Sequence, residues 1–234
     1  MNNLKIGIVV ADVEEYKPLA EFIEKGEFEK YDFLGRTAHK FTLSAQNGTA
    51  TVISILCGIG KVNASAAAMH LVDIGCDYIL NYGLSGGISG INKGEISFAN
   101  RFLEHDFDLT GLGYAPCEKP SQKYVYEVDE KLIDLVKKVI PSFKIGTAVS
   151  GDRFICDEAT SNYFRDNYFA MTCDMETAAI AYVADASNTP FIALRKISDD
   201  ASDEAGESYT EMNNTKDNSL SNYILEIIKE IINL

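Results

Sequence analysis

Cys173-Asp174-Met175-Glu176-Thr177-Ala178-Ala179-Ile180 places a carboxylate, Glu176, where a short apolar strand turns into a helix of small residues. Further on, a second apolar run, Phe191 to Ile197, ends in Ser198-Asp199. Apolar strands that terminate in acids suggest an open α/β sheet, whose ligands bind outside the carboxyl ends of its strands. Two acids at neighbouring strand ends can grip a sugar diol and protonate a leaving group. The plainer alternative is that Glu176 only favours a helix N-terminus through the dipole and that Asp199 only caps a loop. The rest of the chain argues against that alternative.

Working outward, Lys5 to Ala11 is a continuous apolar run of buried-strand length, and Glu14 to Ile23 follows with helical spacing at Leu19, Phe22 and Ile23. Lys40 to Leu43 and Thr49 to Leu56 flank Gln46-Asn47-Gly48, a hairpin signal. Gly58-Ile59-Gly60 opens an alanine-rich helix, Val62 to Ile74, and the strand Tyr78 to Tyr82 runs into Gly83-Leu84-Ser85-Gly86-Gly87, read as a tight turn. Phe98 to Lys123 reads as irregular. Val128 to Ile140 has amphipathic helical spacing, Ile145 to Ser150 is a strand, and Glu158 to Asn167 is a polar helix. Asp200 to Asn214 reads as an acidic loop before a C-terminal helix with Leu220, Ile224, Ile227, Ile228 and Ile231 on one face, capped by Asn218 or Ser219. No linker or repeat interrupts the series, so residues 1–234 are expected to form one α/β domain, with a mixed sheet between two layers of helices.

A net charge of −14 disfavours nucleic acid or an anionic membrane as partner, because both are polyanions. The five cysteines are scattered without a C-x-x-C pair, so neither a disulfide framework nor a zinc site is expected. There is no signal-peptide pattern at Met1 to Lys5 and no membrane-length apolar run, which makes the cytoplasm the expected compartment. No G-x-G-x-x-G or Walker sequence stands at the glycine-rich turns, and His39, His70 and His105 are far apart, with no nucleophile elbow nearby. Dinucleotide cofactors and covalent catalysis therefore lack support.

Several segments occur together, in order: Lys5-Ile6-Gly7-Ile8 with Glu14-Glu15, Gly58-Ile59-Gly60-Lys61-Val62-Asn63-Ala64, Asn81-Tyr82-Gly83-Leu84-Ser85-Gly86-Gly87, His105-Asp106-Phe107-Asp108 with Gly113-Tyr114, Ser150-Gly151-Asp152, Asp174-Met175-Glu176 and Arg195-Lys196-Ile197-Ser198-Asp199. In this respect the chain resembles the 5′-methylthioadenosine/S-adenosylhomocysteine nucleosidases of the nucleoside phosphorylase superfamily. The resemblance implies a three-layer α/β/α sandwich, a homodimer, and hydrolysis of the N-ribosidic bond of 5′-modified adenine nucleosides without metal or organic cofactor. Residue by residue, Glu15 matches the general base for water and Asp199 the acid that protonates the purine, supported by Ser198. Glu176 matches the carboxylate that holds the ribose hydroxyls, with Met175 against the sugar. Phe154 and Ile155 match the adenine slot, and Arg195 a residue near the attacking water. Leu112 and Tyr114 lie in the segment that reaches across the dimer toward the 5′-substituent.

The glycine-rich stretch departs from the family's usual Asn-Thr-Gly-Ser-Ala-Gly-Gly, since Tyr82 and Leu84 replace the threonine and the first serine. Leucine cannot hydrogen-bond. Ser85, at the next position, is the nearest hydroxyl that could compensate, although its side chain points elsewhere if the strand geometry persists, and Gly86 lets the backbone approach a ligand. Two rival readings follow. A phosphorolytic enzyme needs arginines or a serine where Asn81 and Leu84 stand, and Glu15 would repel phosphate. A non-catalytic nucleoside-binding or storage protein has no need of a water-activating base.

Overall fold

The computed structural model describes residues 4–234. β1 (Leu4–Val10) sends Ile6, Ile8 and Val10 into one apolar layer and Val9 into the opposite one, so a single strand feeds two cores. Asp12 then caps α1 (Val13–Ile23), its side chain accepting from the Glu14 N–H at 2.8 Å. β2 (Phe28–Phe33), β3 (Arg36–Ala45) and β4 (Gly48–Leu56) form an antiparallel ribbon at the sheet's edge. The expected hairpin is present, with Gln46 and Asn47 between the paired Ala45 and Gly48. β2 was not expected: its largely exposed face lacks the apolar alternation by which a half-buried strand is recognised.

α2 (Lys61–Asp73) packs Ala64, Ala67, Ala68 and Leu71 onto the sheet. β5 (Tyr78–Gly87) corrects the sequence reading, because Gly83 to Gly87 continue the strand instead of forming a turn. The glycines are needed for neighbours: Gly86 and Gly87 pair with the strand carrying Cys173 and Thr172. β6 (Ile96–Glu104) likewise takes over the start of the irregular region, and the short β7 (Val125–Glu127) follows just after its end. A register shift between Ala99 and Arg101 breaks the alternation there, which hides the strand from a periodicity argument.

α3 (Glu130–Val139), β8 (Lys144–Ser150), α4 (Glu158–Tyr168), β9 (Ala170–Asp174), α5 (Thr177–Ala186) and β10 (Phe191–Asp199) follow close to their expected positions. Asp200 to Asn214 is not a loop, for α6 (Ala205–Asn213) occupies most of it. Its only apolar residues turned inward are Ala205, Tyr209 and Met212, set among polar ones. α7 (Ser219–Ile232) completes the chain, with Asn218 at its N-cap position and the Asp217 carboxylate accepting from the Ser219 N–H.

The sheet runs β10-β6-β8-β9-β5-β1-β4-β3-β2, and β10 also pairs with β5, closing one end on itself. β1, β4, β5 and β10 are mutually parallel where they pair, and β6 crosses β10 antiparallel. α1, α3 and α7 cover one face, and α2 and α5 the other. The sheet is therefore mixed and sandwiched by helices, as expected. All five cysteines are free. No helix among the described residues is long and apolar enough to cross a membrane.

Candidate active site

The carboxyl ends of β5, β9 and β10 converge beside the start of α1. β9 delivers Asp174 and then Met175-Glu176, and α5 begins at Thr177. Asp174 Oδ1 accepts from the N–H groups of Glu176 and Thr177, both at 2.9 Å, which satisfies the first turn of α5. The same oxygen accepts from Ser150 Oγ at 2.7 Å. Arg195 on β10, only 1% exposed, donates from Nε to Asp174 Oδ2 at 3.2 Å and from Nη2 to Asn81 Oδ1 at 2.9 Å and Thr177 Oγ1 at 2.6 Å. Its Nη2 also lies 3.6 Å from Glu176 Oε2.

Asp174, Thr177 and Asn81 were not singled out from the sequence. Part of their signal was available, since an aspartate just ahead of a helix can accept from its first-turn N–H groups. Burial raises the Asp174 pKa, but Arg195 together with Thr177 and Ser150 outweighs it and holds the carboxyl below its usual range. Glu176 moves the other way. Burial raises it, and Arg195 and the Gly60 N–H at 2.9 Å only partly offset the burial and the nearby Asp174.

Glu15 reaches in from the first turn of α1. Its Oε1 accepts from the Leu84 N–H at 2.7 Å, a group left free where β1 has ended beside β5. A Cβ on Gly83 would strike Arg195 Nη1 and stand 2.6 Å from Glu15 Oε2, so only glycine lets both side chains meet β5 here. Desolvation is the main reason that the Glu15 pKa is pushed up to about 7, Arg195 and the Leu84 N–H opposing it, and Glu176 and Asp12 adding to it.

Asp199 follows a β-bulge at Ser198, which re-aims its side chain. Asp199 Oδ2 lies 2.6 Å from Ser198 Oγ, and Oδ1 accepts from the Ala201 N–H at 2.9 Å. Ser198 Oγ is also 3.2 Å from the Ser85 carbonyl. A protonated Asp199 can thus donate to Ser198 while Ser198 donates to Ser85, so both protonation states are accommodated. Burial raises the Asp199 pKa despite the bonds from Ser198 and Ala201.

Gly86, Phe154, Ile155, Met175 and Asp199 line one narrow cleft. Glu15, Tyr82 and Leu84 line a second, together with Lys196 and residues of α6 and α7. Ser85 faces neither. Its hydroxyl is buried and donates to the Cys173 carbonyl at 2.7 Å, so it does not stand in for the hydroxyl lost at Leu84. Leu112 and Tyr114, 73% and 39% exposed, line neither cleft and lie around a one-turn 3-10 helix. Tyr209 of α6 is the side chain that the sequence reading missed altogether. Its ring meets Phe154 edge-on at 5.6 Å, and its phenol pKa is raised by burial and then by the carboxylates of Glu15, Asp12, Glu176 and Asp199.

Comparison with known proteins fits this geometry. The family model of the Phosphorylase superfamily matches residues 5–233. A Geobacillus 5′-methylthioadenosine/S-adenosylhomocysteine nucleosidase is 30% identical over 97% of this chain and 99% of its own. The chain belongs to that nucleosidase family, within the phosphorylase superfamily. An aminodeoxyfutalosine nucleosidase of Campylobacter jejuni is 28% identical, over 97% of this chain and all of its own (100%). Among solved structures, a Helicobacter pylori nucleosidase mutant with 5′-methylthioadenosine in its active site superposes with a TM-score of 0.89, at 25% identity, covering 97% of this chain and 99% of that one.

Proposed function

We propose that this protein hydrolyses the N-ribosidic bond of 5′-modified adenine nucleosides, 5′-methylthioadenosine and S-adenosylhomocysteine, releasing adenine and the 5′-modified ribose. The carrying observation is the excess of carboxylates over cations around one guanidinium: Glu15, Asp174 and Glu176 surround Arg195. Burial raises Glu15 and Glu176, and neighbouring carboxylates add to it; the excess of negative charge suits a transition state in which the ribosyl group becomes cationic. Glu176 accepts from the ribose hydroxyls in charge-assisted bonds. Asp199, whose affinity for a proton is raised by burial, gives a proton to the departing purine, with Ser198 following the change. Glu15 takes the proton from water on the sugar's far side, and Met175, Phe154 and Ile155 enclose sugar and base. Arg195 holds Asp174 and Glu176 in place and limits how far Glu15 is raised.

Leu112 and Tyr114 complete the 5′-pocket of a second subunit in a homodimer. Their exposure supports this role, as does exposed Val62 and Met69 on α2, whose start is tied by Lys61 to Asp106, just before the same segment. Hydrolysis is favoured over phosphorolysis because the space beside the Leu84 N–H is taken by Glu15, an anion, and Arg195 is already engaged by carboxylates. Incubation with 5′-methylthioadenosine, S-adenosylhomocysteine and aminodeoxyfutalosine, with and without phosphate, tests the reading. Adenine should appear from the first two at a rate independent of phosphate. Release only with phosphate, or none at all, overturns it.

A further inference from the structure

Four loops leave the carboxyl ends of β4, β6, β8 and β9, and one set of contacts ties all of them together. Lys61, the first residue of α2, places Nζ 2.5 Å from Asp106 Oδ1 and 2.8 Å from Glu104 Oε2, both at the end of β6. Lys119 pairs with the other Glu104 oxygen. The second oxygen of Asp106 accepts from the Asp152 N–H at 2.9 Å, after β8. Asp152 Oδ1 in turn accepts from the Lys61 N–H at 2.7 Å. The residue in the N-cap position of α2 is Gly60, which has no side chain to cap with, so Asp152 performs that task from another loop. Gly60 has a φ of 101°, which strains any L side chain, and a Cβ on it would press on Asp152 Oδ1 at 3.0 Å. The Gly60 N–H then points at Glu176 Oε1, 2.9 Å away.

Neither Asp106 nor Asp152 lines either cleft. Gly151 has no side chain for the same reason of space: a Cβ there would sit 2.6 Å from His105 Nε2 and 2.9 Å from Asp106 Cγ. The chain thus gives up side chains at two positions to let these contacts close.

We propose that Asp106 and Asp152 are positioning residues for substrate binding: through Lys61 they fix the Gly58 to Lys61 turn, whose Gly60 N–H sets the orientation of the Glu176 carboxylate. The inference rests on Glu176 being the ribose carboxylate. The Gly60 N–H is the only backbone donor to Glu176 from outside its own strand–helix junction among the described residues. Loosening the turn therefore frees Glu176 to rotate toward Arg195, where it serves the diol less well.

The measurement is the ratio of kcat/KM for 5′-methylthioadenosine to that for its 2′-deoxy analogue, in wild type, Glu176→Gln, Asp152→Ala and Asp152→Asn. Glu176→Gln should lose most of the discrimination. Asp152→Ala should lower it on the order of tenfold, mainly through KM of the ribonucleoside, as expected when a binding group is loosened and not removed. Asp152→Asn keeps an acceptor for the Lys61 N–H and should restore most of the ratio, which a general loss of stability would not. Asp106→Asn keeps the shape, weakens the bond to Lys61 and should shift the ratio a few-fold the same way; it decides the matter where the alanine variant does not fold. An unchanged ratio in Asp152→Ala and Asp106→Asn, with discrimination lost in Glu176→Gln, overturns the positioning role and leaves the ribose role standing. Discrimination retained in Glu176→Gln overturns the ribose role, and the positioning role with it.

Discussion

At the scale of single residues, Glu15 is held in a state that costs stability. An unfolded glutamate loses its proton near the ordinary 4.5, whereas in the folded chain burial keeps it to about 7. Between those values the native state binds the extra proton, so stability falls as pH rises through this window and stays lower above it. The gap is worth roughly 3 kcal/mol, an order-of-magnitude figure. Glu15→Gln keeps an acceptor for the Leu84 N–H and removes the charge. It should melt higher than wild type at pH 8, with the difference shrinking to nothing near pH 4.5, while hydrolysis is lost and ligand binding persists. The wild-type kcat/KM should rise with pH up to about 7 as Glu15 becomes able to accept a proton. Equal melting temperatures at pH 8 would show that Glu15 carries no such burden. Asp199 acts in the opposite sense, as donor, and Asp199→Asn removes the proton but keeps the bonds to Ser198 and Ala201. Its kcat should fall roughly 10²-fold or more with binding still detectable, the size of a general-acid contribution. Turnover near that of wild type would refute the assignment.

At the scale of elements, the strands and helices flanking the acids were legible because burial on both faces writes continuous apolar runs, and strand ends then fall at Glu176 and Asp199. What escaped was structure whose pattern is broken for a physical reason. β6 carries a register shift, β2 lies at an edge with its largely exposed face toward solvent, and β5 keeps its strand through glycines that serve crowded neighbours. The site was legible to the same degree. Asp199, Met175, Phe154 and Ile155 line one cleft and Glu15 the other, with Ser198 buried behind Asp199 and Glu176 behind both beside Arg195, whereas Ser85 turns away and Asp174, Asn81 and Thr177 emerge only from the hydrogen bonds around Arg195. α6 escaped because its three inward apolar groups, Ala205, Tyr209 and Met212, are set among polar residues just after the acids Asp200, Asp203 and Glu204, and with it went Tyr209. Since that ring packs on Phe154 and feels the charges of Glu15, Glu176 and Asp199, Tyr209→Ala should raise KM for 5′-methylthioadenosine about tenfold, in line with the loss of a half-buried aromatic side chain. Tyr209→Phe should recover it. A KM that falls in the alanine variant would mean that the ring occupies the substrate's own space and α6 obstructs the site.

At the scale of the whole molecule, the proposed shared pocket rests on one surface segment. The segment after Asp106 is anchored through Lys61 and by the Cys117 N–H to the Phe107 carbonyl at 3.1 Å, yet it turns Leu112 and Tyr114 outward. Exposed apolar groups held on an anchored turn, and Val62 and Met69 on the neighbouring helix, are what a contact with another copy would cover. In a symmetric dimer the same patch meets itself, so each segment is carried to the other subunit. A charge placed in such a contact must be desolvated without a partner. Leu112→Glu should therefore shift the protein toward monomer in sedimentation and raise KM for 5′-methylthioadenosine in parallel, while a residue as exposed as Leu112 leaves the fold of the isolated subunit intact. Dilution of the wild type should show the same coupling, with activity per chain falling as dimer dissociates. A wild-type monomer with full activity at low concentration would mean that each chain closes its own 5′-pocket, and that Leu112 and Tyr114 serve some other contact.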